Sequence, residues 1–311
     1  MKKFIILICS LILVIITASA VMVAQHYCAT CGQPLPENNS GKKKTGKNVP
    51  RWKEDSKVEV SGPIKSKTLS LRNFDKVSVS SIFNAKIKVG GKYSVKVTYP
   101  QSIGDFIVTD VKDGRLTVSI MSNVGLSFNG DGHVSPTVEI TMPKLREIEC
   151  SGVAKCDISG KIAGSELEVE ASGQSIVRFA DNIACTEVDV EISGISSLTC
   201  RSLRADELKL EANGVSTFFA SSIDADRLDM EISGKSRLKV DGRTACYKVK
   251  ADVSGMSEVY CQSFMAEKGS INVSGMSKFN AEEGNANGVS IMSESSSIKL
   301  GDMQIYDGKI H

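Results

Sequence analysis

Every 20 or 21 residues the chain returns to one short pattern: "EISGISSL" at 191–198 recurs as "EISGKSRL" at 231–238, with looser copies between and around them. Aligned on the glycine, the copies place Gly152, Gly173, Gly194, Gly214, Gly234, Gly255 and Gly275 at successive intervals of 21, 21, 20, 20, 21 and 20. A fixed period of this length is the mark of a solenoid, in which each repeat buries its apolar face only against its neighbours. An eighth copy, "IMSESSSI", continues the frame with Glu294 at the glycine position.

The columns of the alignment describe one coil. Four and two residues before the glycine stand apolar side chains such as Val190 and Ile192, and four and six after it stand Leu198 and Cys200. Alternation on both sides predicts two strands meeting at a bend. A third apolar position, Ile183, Leu203, Ile223 and Phe264, is followed two residues later by the small Cys185, Ala205, Ala225 and Ala266. Three short strands per coil and no helix predict an all-β right-handed parallel β-helix, the hand following from that of parallel crossovers. Leucine-rich repeats of similar length need a helix or a Leu/Asn pattern that is absent. Eight coils at the inter-strand spacing give a rod about 35–40 Å long.

Upstream, residues 58–120 alternate strictly, with turns at Gly90-Gly91, Pro100 and Asp113-Gly114. The strands from Val77 to Val97 are expected to form the first coils, Ser81 taking the glycine position. The Gly- and Asn-rich residues 122–135 read as a loop before the strand "TVEITM".

The start of the chain is different. Lys2 and Lys3 precede an uncharged, largely apolar run from Phe4 to Ala24. Ala18-Ser19-Ala20 offers a signal-peptide cleavage site, yet the run is also about the ~20 residues that span a bilayer. Residues 1–24 are therefore a signal peptide or an N-terminal membrane anchor, 25–57 a polar basic linker, and 58–311 the β-helical head. Either alternative places the head outside the cytoplasm, in the periplasm or at the cell surface, with membrane association through residues 4–24 if they are not cleaved. In the linker, Cys28 and Cys31 form a CxxC that is half a zinc site or a local disulfide; four-ligand zinc needs two more ligands. The Lys42–Lys44 cluster reads as solubilising charge or a contact with anionic lipid.

Composition narrows the function. A net charge of +2 gives no electrostatic case for nucleic acid as a partner. Only His26, His133 and His311 are present, little material for imidazole catalysis or a His-rich metal site.

The stretch "LRNFDKVSVSSIFNAKIKVGGKYSVKVTYP", the strand "DGRLTVSI" and the recurring "SGxS" turns, covering about residues 69–295, resemble the head GIN domain family of bacterial envelope proteins, described as auto-transporter adhesins. The resemblance implies an extracytoplasmic β-helix and transfers no catalytic or binding residues.

Among outward columns, the most suggestive lies three before the glycine: Glu149, Glu170, Glu191, Glu211, Glu231 and Asp252, then Asn272. Beside it run Glu147, Glu168, Asp189, Lys209, Asp229 and Lys250. Neighbouring charges ~4.8 Å apart repel by about 0.9 kcal/mol in water. Such a ladder suits weakly held calcium, the only cofactor implied, or a basic partner; it equally suits a solvated face that discourages lateral association. The serines flanking each glycine repeat in every coil without a partner base, so they read as turn hydrogen-bonders. The cysteines read as small buried apolar residues: Cys185 and Cys246, like Cys200 and Cys261, share a column three coils apart, ~14 Å, too far to bond. Cys150 and Cys156 share a coil, which leaves an approach between them open.

Two functions follow. The first is a non-enzymatic adhesion or envelope-scaffold module contacting an envelope protein or polysaccharide. The second is a polysaccharide lyase or hydrolase using the acidic face around Asp189, Glu191 and Lys209, a reading by fold-level analogy.

Overall fold

A computed structural model describes residues 57–128, 134–286, 288–306 and 309–310. The leader, the linker and the Cys28–Cys31 pair lie outside them, as do His26, His133 and His311. Among the described residues no helix is long and apolar enough to cross a membrane.

The period becomes a parallel β-solenoid of about seven turns. Each strand before a corner glycine pairs in parallel with its counterpart one coil on, so Val169 faces Val190 and Glu170 faces Glu191. The strand after the corner does likewise, Leu198 facing Phe218. The third side stacks Ile183 on Leu203 and Leu203 on Ile223. From coil to coil the inward columns, including Ile192, Leu198, Leu203, Leu208 and Leu210, are wholly buried and form one continuous core.

At each corner the backbone is left-handed, as at Gly194 (φ 72°) and Gly214 (φ 81°), and the next residue donates its N–H to the glycine carbonyl one coil below. The serines two residues past the glycine turn inward and are buried. Two pairs of hydroxyls bond between coils, Ser175 to Ser196 at 3.3 Å and Ser216 with Ser236 at 3.1 Å. In the column before the glycine the Ser233 hydroxyl donates to the Asn213 amide oxygen.

The first coil differs from expectation in part. Lys76–Val79 and Asn84–Val89 do form a coil, and Ser81 adopts a φ of 68° directly below Gly152. Ser94–Pro100, however, runs antiparallel against Thr137–Met142 rather than continuing the coil. Residues 94–142 fold back beneath it: Arg115–Ile120 pairs under Lys76–Val79, and Thr137–Met142 under Asn84–Val89, both in parallel. The first coil in sequence is thus the second in space. Ile107–Lys112 and then Ser94–Pro100 with Ile64–Leu69 close this end by antiparallel pairing. Lys65 and Lys67 on Ile64–Leu69 blunt the outermost edge. Within the expected loop, Gly125–Ser127 is a strand, pairing in parallel with Lys57–Glu59.

The eighth copy is shifted by one residue. Val273 faces Ser293, not Met292, and the left-handed corner falls on Ser295 (φ 53°) rather than Glu294. Met292 consequently points outward, 41% exposed, and Ser293 takes the inward place. Ile298 and Leu300 keep their inward columns, so the shortened turn absorbs the slip. Met303–Tyr306 and Lys309–Ile310 then cap this end antiparallel.

Candidate functional site

The acidic column is stacked as its spacing requires: Glu149, Glu170, Glu191, Glu211, Glu231 and Asp252 are successive register partners, and Asn272 ends the series. Its two ends are neutralised. At the lower end Lys76 lies 2.8 Å from Glu147, while Arg115 reaches Glu147 and lies 3.2 Å from Glu149. At the upper end Lys250 lies between Asp229 and Asp252, at 3.6 and 3.5 Å, and the Asn272 amide donates to Asp252 at 2.8 Å. Lys209 takes Glu211 at 2.6 Å, and that contact raises the lysine's own pKa.

Among the described residues no ion pair reaches Glu170, Glu191 or Glu231. Partial burial lifts the carboxyls of Glu168 and Glu170 above their ordinary value, and the charges of Glu147 and Glu149 respectively add to it. Burial lifts Asp189 as well, against the opposing pull of Lys209. The tension of the ladder is therefore concentrated in the two coils carrying Glu168, Glu170 and Asp189. Among the described residues no group of three or more carboxylates, thiols or imidazoles is placed to hold a metal ion.

A second outward row escaped the sequence reading. It lies five residues after the glycine and runs in unbroken register from Lys96 through Glu139, Lys86, Asp157, Arg178, Thr199, Phe219, Lys239, Tyr260 and Asn280 to Lys299. Its lower half alternates in sign, with Arg178 3.3 Å from Asp157. Its upper half is aromatic: Lys239 sits between Phe219 and Tyr260, its ammonium 5.8 Å from each ring centroid. Tyr260 donates its hydroxyl to Glu282 at 2.5 Å, and Lys239 is 2.6 Å from Asp241. The signal was available in the positions between the two inward columns after each glycine, but outward residues follow no apolar rule that would draw attention to them.

One open cleft adjoins the second row and another lies apart from both rows. One of about 710 Å³ lies along the lower half, lined by Lys86, Glu139, Asp157, Arg178 and Thr199. The other, about 580 Å³, lies on the third side among Asp224, Asp226, Arg243, Tyr247 and Glu267.

The sequence matches the family described as "Putative auto-transporter adhesin, head GIN domain" over residues 73–202 and 189–302. The chain belongs to the head GIN domain family. No curated protein matches it. Three crystal structures, each described as a "putative adhesin", share the fold of this head GIN chain. That from Parabacteroides distasonis ATCC 8503 has 19% identity and a TM-score of 0.60, covering 79% of this chain and all of its own. That from Parabacteroides merdae ATCC 43184 has 16% identity and a TM-score of 0.60, over 78% of this chain and 99% of its own. The third, from Bacteroides fragilis NCTC 9343, has 17% identity and a TM-score of 0.54, over 78% and 98%. At these identities the likeness is one of fold, and the head GIN solenoid is the shared part.

Proposed function

We propose that the chain is a non-catalytic extracytoplasmic binding module, an adhesin or envelope scaffold, that holds an extended polysaccharide along the row from Lys96 to Lys299. The observation that carries this reading is the Phe219–Lys239–Tyr260 ladder. Its rings stand two rungs apart, about 9.5 Å at the spacing of paired strands. Half-exposed aromatic faces accept the apolar C–H faces of sugar rings, while the Tyr260 hydroxyl and the Lys239 ammonium supply polar contacts. A flat, regular row of this kind suits a ligand that is itself repetitive. The family's adhesin description and the leader-like residues 4–24 support an extracytoplasmic site of action.

The test is a glycan-array and envelope-fraction binding screen of the full chain, repeated with Phe219→Ala/Tyr260→Ala. Saccharide binding that drops at least tenfold in the double variant, with the unfolding midpoint little changed, supports the reading. Binding indifferent to the double variant removes this row from it.

The lifted carboxyls of Glu168, Glu170 and Asp189 favour a second reading, a lyase or hydrolase acting on acidic glycans. Cleavage of such glycans, abolished by Asp189→Asn, would replace the first reading with this one.

A further inference from the structure

Cys150 and Cys156 occupy the inward columns on either side of the Gly152 corner, two before and four after the glycine. Both are wholly buried, and their sulfurs lie 3.0 Å apart. Their proximity belongs to the coil: in the next three coils the same two positions hold Ala171 with Val177, Ile192 with Leu198 and Ala212 with Phe218, all buried. Among the described coils only this one has a thiol in both places. A contraction of about 1 Å brings the sulfurs to bonding distance.

We propose that Cys150 and Cys156 are a disulfide-forming pair that staples this corner when the chain folds under oxidising conditions. The reaction is thiol–disulfide exchange with an oxidant that itself carries a disulfide, either oxidised glutathione or an oxidised dithiol oxidoreductase. One cysteine, as thiolate, attacks a sulfur of that disulfide and forms a mixed disulfide, releasing one thiol of the oxidant. The second cysteine, as thiolate, attacks the sulfur of the first, closes the Cys150–Cys156 bond and expels the remaining oxidant thiolate. The two cysteines lose two electrons and two protons, and the oxidant gains them.

Timing follows from burial. In the finished core neither sulfur is exposed, and the hydrogen bond between them, followed by burial, holds the Cys156 thiol well above its ordinary pKa. Exchange therefore precedes closure of the neighbouring coils. The bond joins Glu147–Cys150 to Lys155–Gly160, immediately above the coil whose corner is made by Ser81 in place of glycine. The other described cysteines have different fates. Cys246 donates its thiol to the Met265 carbonyl at 3.7 Å, and Cys261 accepts from Thr244 at 3.4 Å.

The physiological setting rests on the extracytoplasmic reading above, so the experiment separates the two. The full chain is denatured, reduced and refolded in a mixture of reduced and oxidised glutathione, then alkylated, digested and mapped by mass spectrometry. Among the six cysteines of the described solenoid the expected product is one linked peptide pair, Cys150 with Cys156, two hydrogens lighter than its reduced form, with Cys185, Cys200, Cys246 and Cys261 recovered as alkylated thiols. The oxidised chain should also unfold at higher urea than the reduced one, and a Cys150→Ala/Cys156→Val variant should lose that difference. Recovery of Cys150 and Cys156 as free thiols, or their pairing elsewhere, overturns the proposal. A bond that closes on refolding but is open in chain isolated from its own cells counts against the compartment, not the pair.

Discussion

Gly214 lies directly above Gly194, so close that a β-carbon at position 214 would stand 2.6 Å from the Gly194 carbonyl oxygen. That oxygen accepts the Val215 N–H at 2.8 Å, so the contact cannot open without breaking the ladder at the corner. Gly214→Ala therefore meets both a left-handed φ and a backbone clash. The strain alone costs on the order of 1–3 kcal/mol. The urea midpoint should fall with an unchanged slope. Gly164→Ala, whose β-carbon would meet only the flexible end of Lys144, should be neutral or mildly stabilising.

The buried serine column should respond unevenly to alanine. Ser236 bonds Ser216 at 3.1 Å, whereas the Ser257 hydroxyl has no partner among the described residues. Ala154 already fills the equivalent place two residues after Gly152, buried, so the smaller side chain fits. Ser236→Ala is expected to lower stability by about 1 kcal/mol and Ser257→Ala to leave it unchanged or raise it. Thermal melts of the two variants decide; equal losses would contradict this assignment of bonds.

Stability should fall as pH rises through the acidic range of the ladder. Glu168, Glu170 and Asp189 have raised pKa values in the fold, so between their ordinary and raised values the native state binds more protons than the unfolded chain. Their contribution favours folding while they are protonated and is lost as pH climbs through the raised values. Glu170→Gln should therefore raise the Tm at pH 7, change it little at pH 3, and gain less in high salt. A Tm difference independent of pH would show that packing, not charge, is responsible.

The core thiols should be silent in the native state. Burial pushes Cys200 and Cys246 up to about 12 and Cys261 up to about 11. At pH 8 almost none is thiolate, the form that reacts. Peptides containing Cys200 and Cys261 should label with a maleimide only as fast as the chain unfolds. Prompt labelling of the native protein would place those side chains outside the core.

The repeating body of the solenoid was legible because in-register stacking makes each inward position repeat the chemistry of the one below. Val190, Ile192, Leu198 and Leu203 are buried for the reason their spacing implies. Residues 94–142 were not legible, since parallel and antiparallel strands share the same two-residue alternation. Nothing in "YSVKVTYP" says that Ser94–Pro100 turns back against Thr137–Met142. The last corner was misplaced because "SESSS" offers several residues for one left-handed position; packing selected Ser295 by keeping Ile298 and Leu300 inward.

The sites divide along the same line. Local alternation and a fixed period are enough to establish a stacked all-β rod, its core and an acidic column of Glu170 and Glu191 in contact register. Distances across the coil and juxtapositions between distant segments are not encoded in any period. Only the tertiary structure brings Arg115 to Glu149, lays Lys239 between Phe219 and Tyr260, and sets the Cys150 and Cys156 sulfurs 3.0 Å apart. The physical reason is that a repeat fixes which face a residue occupies, while the width of the coil and the path of the non-repeating chain fix what it meets there.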